Sequence, residues 1–148
     1  MLRKLVMLIA VAGLSFTAMG ASAQSFTLVG QNDLRYSKDH LTVAPGETVT
    51  VKLVNKSHLP AQAMAHNWVL LKAGADADAF DDAAQSAAAN DYFPKSRAQQ
   101  VLAHTDMVAG GESDTVRFTA PDKPGDYTYI CTFPGHFAAG MKGVLTVR

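Results

Sequence analysis

The sequence predicts an all-β fold, a Greek-key β-sandwich of seven to eight short strands with one helical insert. Apolar and polar residues alternate with a period of two over most of the chain, glycine- and proline-rich turns separate the alternating runs, and one Ala- and Asp-rich stretch interrupts them. Alternation with this period is the pattern of half-buried strands. Many short strands separated by turns are typical of a sandwich.

The N-terminal segment precedes this predicted domain. Arg3 and Lys4 are followed by an apolar run at 5–14 and by small residues that end at Ala23. This order is typical of a secretory signal peptide, and the apolar run is too short for the roughly 20 residues of a membrane-spanning helix. We therefore predict that the first 23 residues are a signal peptide and that 24–148 is a single periplasmic domain without a transmembrane segment. An uncleaved anchor is the alternative.

Charge and length restrict the classes of function. The chain has 13 basic and 13 acidic residues; the first 23 residues contain two of the basic ones and no acidic one, so their removal gives a net charge of −2. No run of lysine and arginine is available to follow phosphates, which argues against nucleic-acid binding. The 125 residues left from 148 suit one domain with its own core, and we expect a monomer.

The strands can be placed from the alternation. Between Ser25 and Val54 the alternation comes in short runs, at Phe26 and Leu28, at Leu41 and Val43 and, after the turn Pro45-Gly46, at Val49, Val51 and Leu53. The same pattern predicts further strands at 67–71, 116–118, 127–130 and 144–147.

The stretch from Ala75 to Asn90 is the predicted helical insert. It is rich in alanine and nearly free of β-branched residues, and Asp76 or Asp78 is available to cap its start. Phe80 is its one large apolar side chain. We therefore expect a surface flap rather than a part of the core.

Three residues with metal-binding side chains share one loop. Cys131, His136 and Met141 lie within eleven residues, around the turn Pro134-Gly135 and between the last two predicted strands. Cys131 is the only cysteine, and in an oxidising compartment its retention calls for metal ligation or for deep burial as a small apolar residue. Thiolate and thioether suit Cu(I), and imidazole suits both copper states. An electron-transfer copper site needs a second imidazole, which we expect from His66 at the start of a strand.

Zinc is the alternative ion. Zinc sites use cysteine and histidine but have little use for methionine, and structural zinc sites close with four strong ligands. The remaining histidines are poorer candidates for ligands: His40 and His58 lie in polar turns, and His104 is expected at the surface.

Several segments match one known family. They are Leu59-Pro60, Met64, His66-Asn67-Trp68-Val69-Leu70, Ala103-His104-Thr105, Gly111-Glu112, Cys131-Thr132-Phe133-Pro134-Gly135-His136 and Met141-Lys142-Gly143. With these residues the chain resembles the cupredoxins, and azurins in particular. The resemblance covers roughly Leu59 to Arg148, and its ligand loop is highly specific. The segment from Ser25 to Lys56 matches only in its strand pattern.

The resemblance implies a cupredoxin-like sandwich and a type 1 (blue) copper protein that is not an enzyme. One copper ion, cycling between Cu(I) and Cu(II), is expected to carry single electrons between periplasmic redox proteins. By position, His66, Cys131 and His136 are the strong ligands and Met141 is the weak axial ligand. The expected partners are transient ones, such as c-type cytochromes or copper enzymes.

The resemblance also implies roles for residues around the ligands. Asn67 is expected to tie the two ligand loops together by hydrogen bonds to the segment Cys131-Thr132, and the amide of Phe133 to donate to the thiolate. An apolar docking patch is expected around His136, where electrons leave. Its predicted members are Leu59, Met64, Phe133, Pro134, Phe137, Ala138 and Ala139.

Three features depart from the azurin pattern. Four residues separate His136 from Met141, where azurins have three, and this longer spacing resembles auracyanin-type proteins. Ala65 replaces a glycine whose carbonyl lies near the copper, which makes the Ala65 carbonyl a candidate for a second weak axial contact. The usual disulfide cannot form because Cys131 has no partner.

Two other functions use copper ligands of this kind. A periplasmic copper storage or delivery protein would use similar ligands but would exchange its ion easily. A copper oxidase or reductase would need further copper centres, usually bound through His-x-His or His-Cys-His patterns, and the sequence contains neither.

Overall fold

Eight strands dominate the computed structural model, which describes residues 23–148. Ala23 apart, the predicted signal peptide lies outside the described residues. The strands are β1 (Ala23–Gly30), β2 (His40–Val43), β3 (Thr48–Asn55), β4 (Val69–Leu71), β5 (Val101–His104), β6 (Ser113–Thr119), β7 (Gly125–Ile130) and β8 (Lys142–Val147).

These strands form two sheets, as the sequence predicts for a sandwich. One sheet has three strands in the order β1-β3-β6, and the other has five in the order β2-β8-β7-β4-β5. The pairs β1–β3 and β2–β8 are parallel, and the remaining pairs are antiparallel. Alternate side chains of both sheets are buried in one shared core. Examples are Val51 and Leu53 of β3 and Tyr129 of β7.

The helical insert is confirmed in type but is shorter than predicted. Helix α1 (Ala77–Gln85) begins at the N-cap Asp76, whose carboxylate accepts a hydrogen bond from the Ala79 amide at 3.0 Å. The helix ends at Ser86, and two 3-10 turns, Ala88–Asn90 and Lys95–Gln100, lead to β5.

The insert also buries more than a surface flap would. Phe80 has no exposed surface, and it packs with Val69, Leu71, Ile130 and Phe137 in a second apolar cluster. Because successive strand residues point to opposite faces, Val69 and Leu71 face α1 while Leu70 between them faces the main core. The insert therefore covers the outer face of the five-stranded sheet.

Two strand predictions need correction. The alternation predicted no strand at 101–104, where β5 forms the edge of its sheet. The predicted strand at 67–71 begins only at Val69, and His66 lies before it in an isolated bridge with Val108. This bridge fixes the backbone of His66 through hydrogen bonds in both directions, at 3.1 and 2.7 Å.

Several connecting segments meet at one end of the sandwich. The side-chain amide of Asn55, at the end of β3, donates to the carbonyls of Met64 and Val108. The hydroxyl of Tyr36, between β1 and β2, donates to the carbonyl of Asn67. No helix within residues 23–148 is long and apolar enough to cross a membrane.

Candidate metal centre

Two imidazoles and the thiol converge at this end of the sandwich. The Nδ1 atoms of His66 and His136 are 3.2 Å apart, and Sγ of Cys131 lies 3.5 Å from Nδ1 of His136. The potential ligand atoms of the three residues all lie within 4.8 Å of one another. His66 and Cys131 have no exposed surface and His136 is 4% exposed, so one ion could contact all three away from water.

The loop between β7 and β8 carries three of the four predicted ligands and fixes their positions. Cys131 directly follows β7, His136 opens the short helix α2 (His136–Ala139), and Met141 directly precedes β8. The Met141 amide donates to the His136 carbonyl at 2.9 Å, and the Cys131 amide donates to the Met141 carbonyl at 3.1 Å. Gly135 and Gly140 flank α2 at positive φ, 79° and 105°, a conformation that side chains disfavour. The glycines thus allow the loop to close.

Met141 shares one wall of the site with His66. Met141 has no exposed surface. A Cβ placed on Gly30, at the end of β1, would lie 2.6 Å from Cδ2 of His66 and 3.1 Å from Cε of Met141. Both side chains therefore pack directly against the glycine backbone. This wall was not predicted from the sequence, where Gly30 shows only as a break in alternation.

Burial keeps both imidazoles neutral at neutral pH. It lowers the pKa of His66 to about 4, an effect that the backbone of Gln31 and the charge of Asp33 partly oppose. It also lowers the pKa of His136 to about 4, and the neighbouring His66 adds to this shift. Neutral imidazoles offer the nitrogen lone pairs that a metal requires.

The thiol is protonated until a metal displaces its proton. Burial raises the pKa of Cys131 to about 12, although backbone hydrogen bonds from Asn67 and Phe133 lower it in part. The sequence led us to expect a bond from the Phe133 amide to the thiolate and bonds from Asn67 to the Cys131-Thr132 segment. These amides stabilise the thiolate form. Because the thiol is protonated at neutral pH, binding of a metal would release one proton from Cys131.

The donor set fits copper. The Nε2 atom of His66 is buried without a hydrogen-bond partner of normal geometry, and its Nδ1 faces a second imidazole instead of a carbonyl or carboxylate. A metal ion would use the facing lone pairs and balance the charge of a buried thiolate. Two imidazoles, one thiolate and a neighbouring thioether match a blue-copper site, whereas zinc has little use for methionine.

Asn67 ties the two ligand-bearing segments together. Its Nδ2 donates to Oγ1 of Thr132 at 2.8 Å, and its Oδ1 accepts from the Thr132 amide at 2.8 Å. Its carbonyl accepts from the hydroxyl of Tyr36 at 2.5 Å. Asn67 and Thr132 are buried, so these bonds fix the residues that adjoin His66 and Cys131.

Asn67→Ala should destabilise the copper-free protein by about 2 kcal/mol, because it leaves the buried Thr132 amide without a partner. Thr132→Ala is the matched control: it removes the hydroxyl but keeps the backbone bond to Asn67, and should cost about 1 kcal/mol. Urea denaturation measures both free energies of unfolding. Equal losses in the two variants would contradict a special role for the backbone bond.

Ala65 lies next to the centre, and the histidines that were not predicted as ligands lie away from it. Ala65 is buried beside His66, and a contact of its carbonyl with a metal stays a prediction. The remaining histidines lie apart from the centre. His40 bonds to the hydroxyl of Thr146, His58 is exposed, and exposed His104 stacks on Phe93 with ring centroids 4.2 Å apart.

The predicted docking patch is only partly exposed. Leu59 is 44% exposed, Met64 is half-buried, and Pro134, Ala138 and Ala139 are exposed. Phe133 and Phe137, however, are 9% and 7% exposed. The Phe133 ring turns inward to His136 and Tyr92, with centroids 4.7 and 5.7 Å away, and Phe137 joins the cluster under α1. These two rings therefore support the loop from below and add little surface.

Comparisons with known proteins agree with this geometry. A family model described as copper binding proteins of the plastocyanin/azurin family matches residues 23–148. Auracyanin-B of Chloroflexus aurantiacus is 44% identical over 115 residues, which span 77% of this chain and 47% of that protein. Azurin-1 of Alcaligenes xylosoxydans xylosoxydans is 38% identical over 82% of this chain and 95% of its own length.

Solved structures give the same result. Dithionite-reduced auracyanin from Roseiflexus castenholzii is 40% identical with a TM-score of 0.76, over 87% of this chain and 99% of that one. Auracyanin A from Chloroflexus aurantiacus, titled a "blue" copper protein, is 37% identical with a TM-score of 0.75, over 86% and 100% of the two chains.

Proposed function

Since this chain belongs to the plastocyanin/azurin family of copper-binding proteins, we propose that it carries single electrons between redox proteins on one copper ion. His66, Cys131 and His136 would be the strong ligands and Met141 the weak axial one. The observation that carries the proposal is the buried convergence of two imidazoles and a thiol within 4.8 Å. When bound, copper supplies a one-electron couple between Cu(II) and Cu(I).

The residues around the ligands favour electron transfer because they limit movement. The bridge to Val108 holds His66, and the paired bonds of Asn67 hold Thr132 beside the thiol. The Met141 amide is bonded to the His136 carbonyl within the loop. Ligands held in this way change position little between oxidation states, so reorganisation adds little to the barrier.

The same rigidity argues against copper storage or delivery. A delivery site must release its ion, and release is easiest from exposed ligands on mobile segments. Here the thiol and His66 have no exposed surface. Enzyme activity gains no support either, because residues 23–148 offer one histidine–cysteine metal cluster and a copper oxidase or reductase needs more.

Partners would contact the exposed part of the docking patch, without Phe133 and Phe137. Leu59, Met64, Pro134, Ala138 and Ala139 surround the ligand loop, and small apolar interfaces favour the rapid dissociation that a carrier needs. The proposed partners are c-type cytochromes or copper enzymes of the periplasm. The proposed export rests on the N-terminal sequence pattern, and a monomer stays a prediction.

Loading with copper tests the proposed function. The chain from residue 24, prepared without metal, should take up one equivalent of Cu(II), turn intensely blue and bleach reversibly with one electron per copper. The colour reports a short thiolate–copper bond. Zn(II) is the control and should bind without colour. Copper binding without the intense band would contradict the carrier and favour storage or delivery.

A further inference from the structure

The side chain of Arg35 reaches from the β1–β2 connection to the ligand loop. Its guanidinium Nη1 donates to the carbonyl of Ala139, at the end of α2, and to the carbonyl of Leu34 at 2.9 Å. A Cβ placed on Gly140 would lie 2.9 Å from Cζ and Nη1 of Arg35. Arg35 thus touches the loop at the two residues that directly precede Met141.

The Ala139 carbonyl is a group that needs such a partner. The last carbonyls of a helix have no partner inside it. The Gly140 amide bonds back to Phe137 and the Met141 amide to His136, so the backbone turns away from Ala139 immediately after it. A cation at the end of a helix binds these carbonyls strongly because the bond is charge-assisted. Arg35 therefore fixes the position of the backbone at Ala139, two residues before Met141.

The connection that carries Arg35 also holds the rest of the centre. Gly30, at its start, packs against His66 and Met141, and Tyr36, next to Arg35, bonds to the Asn67 carbonyl. The segment 30–36 therefore contacts both ligand-bearing parts of the fold. Arg35 is its contact to Ala139 and Gly140, in the loop whose length departs from the azurin pattern.

We propose that Arg35 is a positioning residue for Met141, which sets the distance of the axial thioether from the metal by anchoring the end of α2. The proposal rests on the proposed copper site. It assigns to Arg35 a geometric effect rather than one of charge. Arg35 is exposed, where salt screens its field.

Arg35→Ala tests the proposal on the copper-loaded protein. The ratio of the two thiolate-to-copper absorption bands, the electron paramagnetic resonance spectrum of Cu(II) and the reduction potential should all shift, because Met141 is no longer held at its distance. The shifts should persist at high salt. Lys142→Ala is the matched control, since it removes a cation that lies over the Phe137 ring at 5.0 Å without bonding to the loop backbone; its spectra should stay as in the wild type.

A second measurement needs no metal. In the copper-free protein, hydrogen exchange of the Met141 amide should be on the order of tenfold faster in Arg35→Ala, the equivalent of one lost hydrogen bond. Failure of the wild type to turn blue would therefore refute the proposed function, whereas unchanged Met141 exchange would refute the role of Arg35.

A double-mutant cycle covers the case in which Arg35→Ala alone disturbs folding. Gly140→Ala adds a methyl group against the guanidinium and should shift the band ratio. Its effect should be smaller when Arg35 is already alanine, because only the backbone strain at Gly140 remains. Additive effects, or an Arg35→Ala potential shift that vanishes at high salt with unchanged spectra, would overturn the proposal.

Discussion

Cys131→Ser is expected to abolish the intense blue band of the copper-loaded protein. The band arises from charge transfer between thiolate and copper, and a serine oxygen cannot supply it. Serine is close to cysteine in size, so the substitution changes the donor atom at a position with no exposed surface. Visible spectroscopy after addition of one equivalent of Cu(II) is the measurement, and the expected result is complete loss of the band.

Two controls separate ligand loss from unfolding. Thr132→Ser keeps the hydroxyl that accepts from Asn67 and leaves Cys131 in place, so its band should remain. Copper-free Cys131→Ser should keep the β-sheet circular dichroism of the wild type, because a domain of this size does not need a metal in order to fold. A serine variant that still shows the band would refute the ligand assignment.

The ligand loop could be predicted because its information is local. A thiol, an imidazole and a thioether follow one another within eleven residues between two strands, and their chemistry names the metal. His66 was expected as the second imidazole that such a copper site needs, and the family resemblance assigned it the same role. The role of Asn67, which adjoins a predicted ligand, was implied by the family resemblance.

The wall formed by the β1–β2 connection could not be predicted. Gly30 packs on Met141 across more than a hundred residues of sequence, and Arg35 bonds to Ala139 across 104. Neither contact leaves a periodic signal in the sequence. A glycine that permits close approach looks like any other glycine, and an exposed arginine that bonds to a distant carbonyl looks like any other arginine. Only the packing of the β1-β3-β6 sheet against the five-stranded sheet brings the end of β1 to the ligand loop.

The orientation of the loop aromatics was equally beyond the sequence. Phe133 and Phe137 were assigned to the docking surface because they flank His136. The structure instead buries Phe137 with Phe80 of α1. Composition showed that α1 has one large apolar side chain but not which apolar residues it would meet. The insert thus decides which loop residues remain at the surface.

Replacement of Met141 should change the reduction potential while the protein stays blue. Met141→Leu is expected to raise the potential by about 60 mV or more, which is tenfold in the equilibrium of a one-electron couple. Loss of a weak donor and gain of hydrocarbon disfavour Cu(II), the more highly charged state. Leucine is close to methionine in volume and should pack in the same space. Met141→Gln should lower the potential, because a harder oxygen donor favours Cu(II).

The backbone around Met141 makes this a clean comparison. Its amide bonds to His136 and its carbonyl to Cys131, so the loop stays closed whichever side chain is present. Voltammetry on the wild type and both variants gives the potentials, and the retained blue band shows that His66, Cys131 and His136 still hold copper. Met107→Leu, the same change at a partly buried residue that is not one of the four predicted ligands, should leave the potential as it is. If the Leu variant does not rise above the wild type and the Gln variant does not fall below it, Met141 is not the axial ligand.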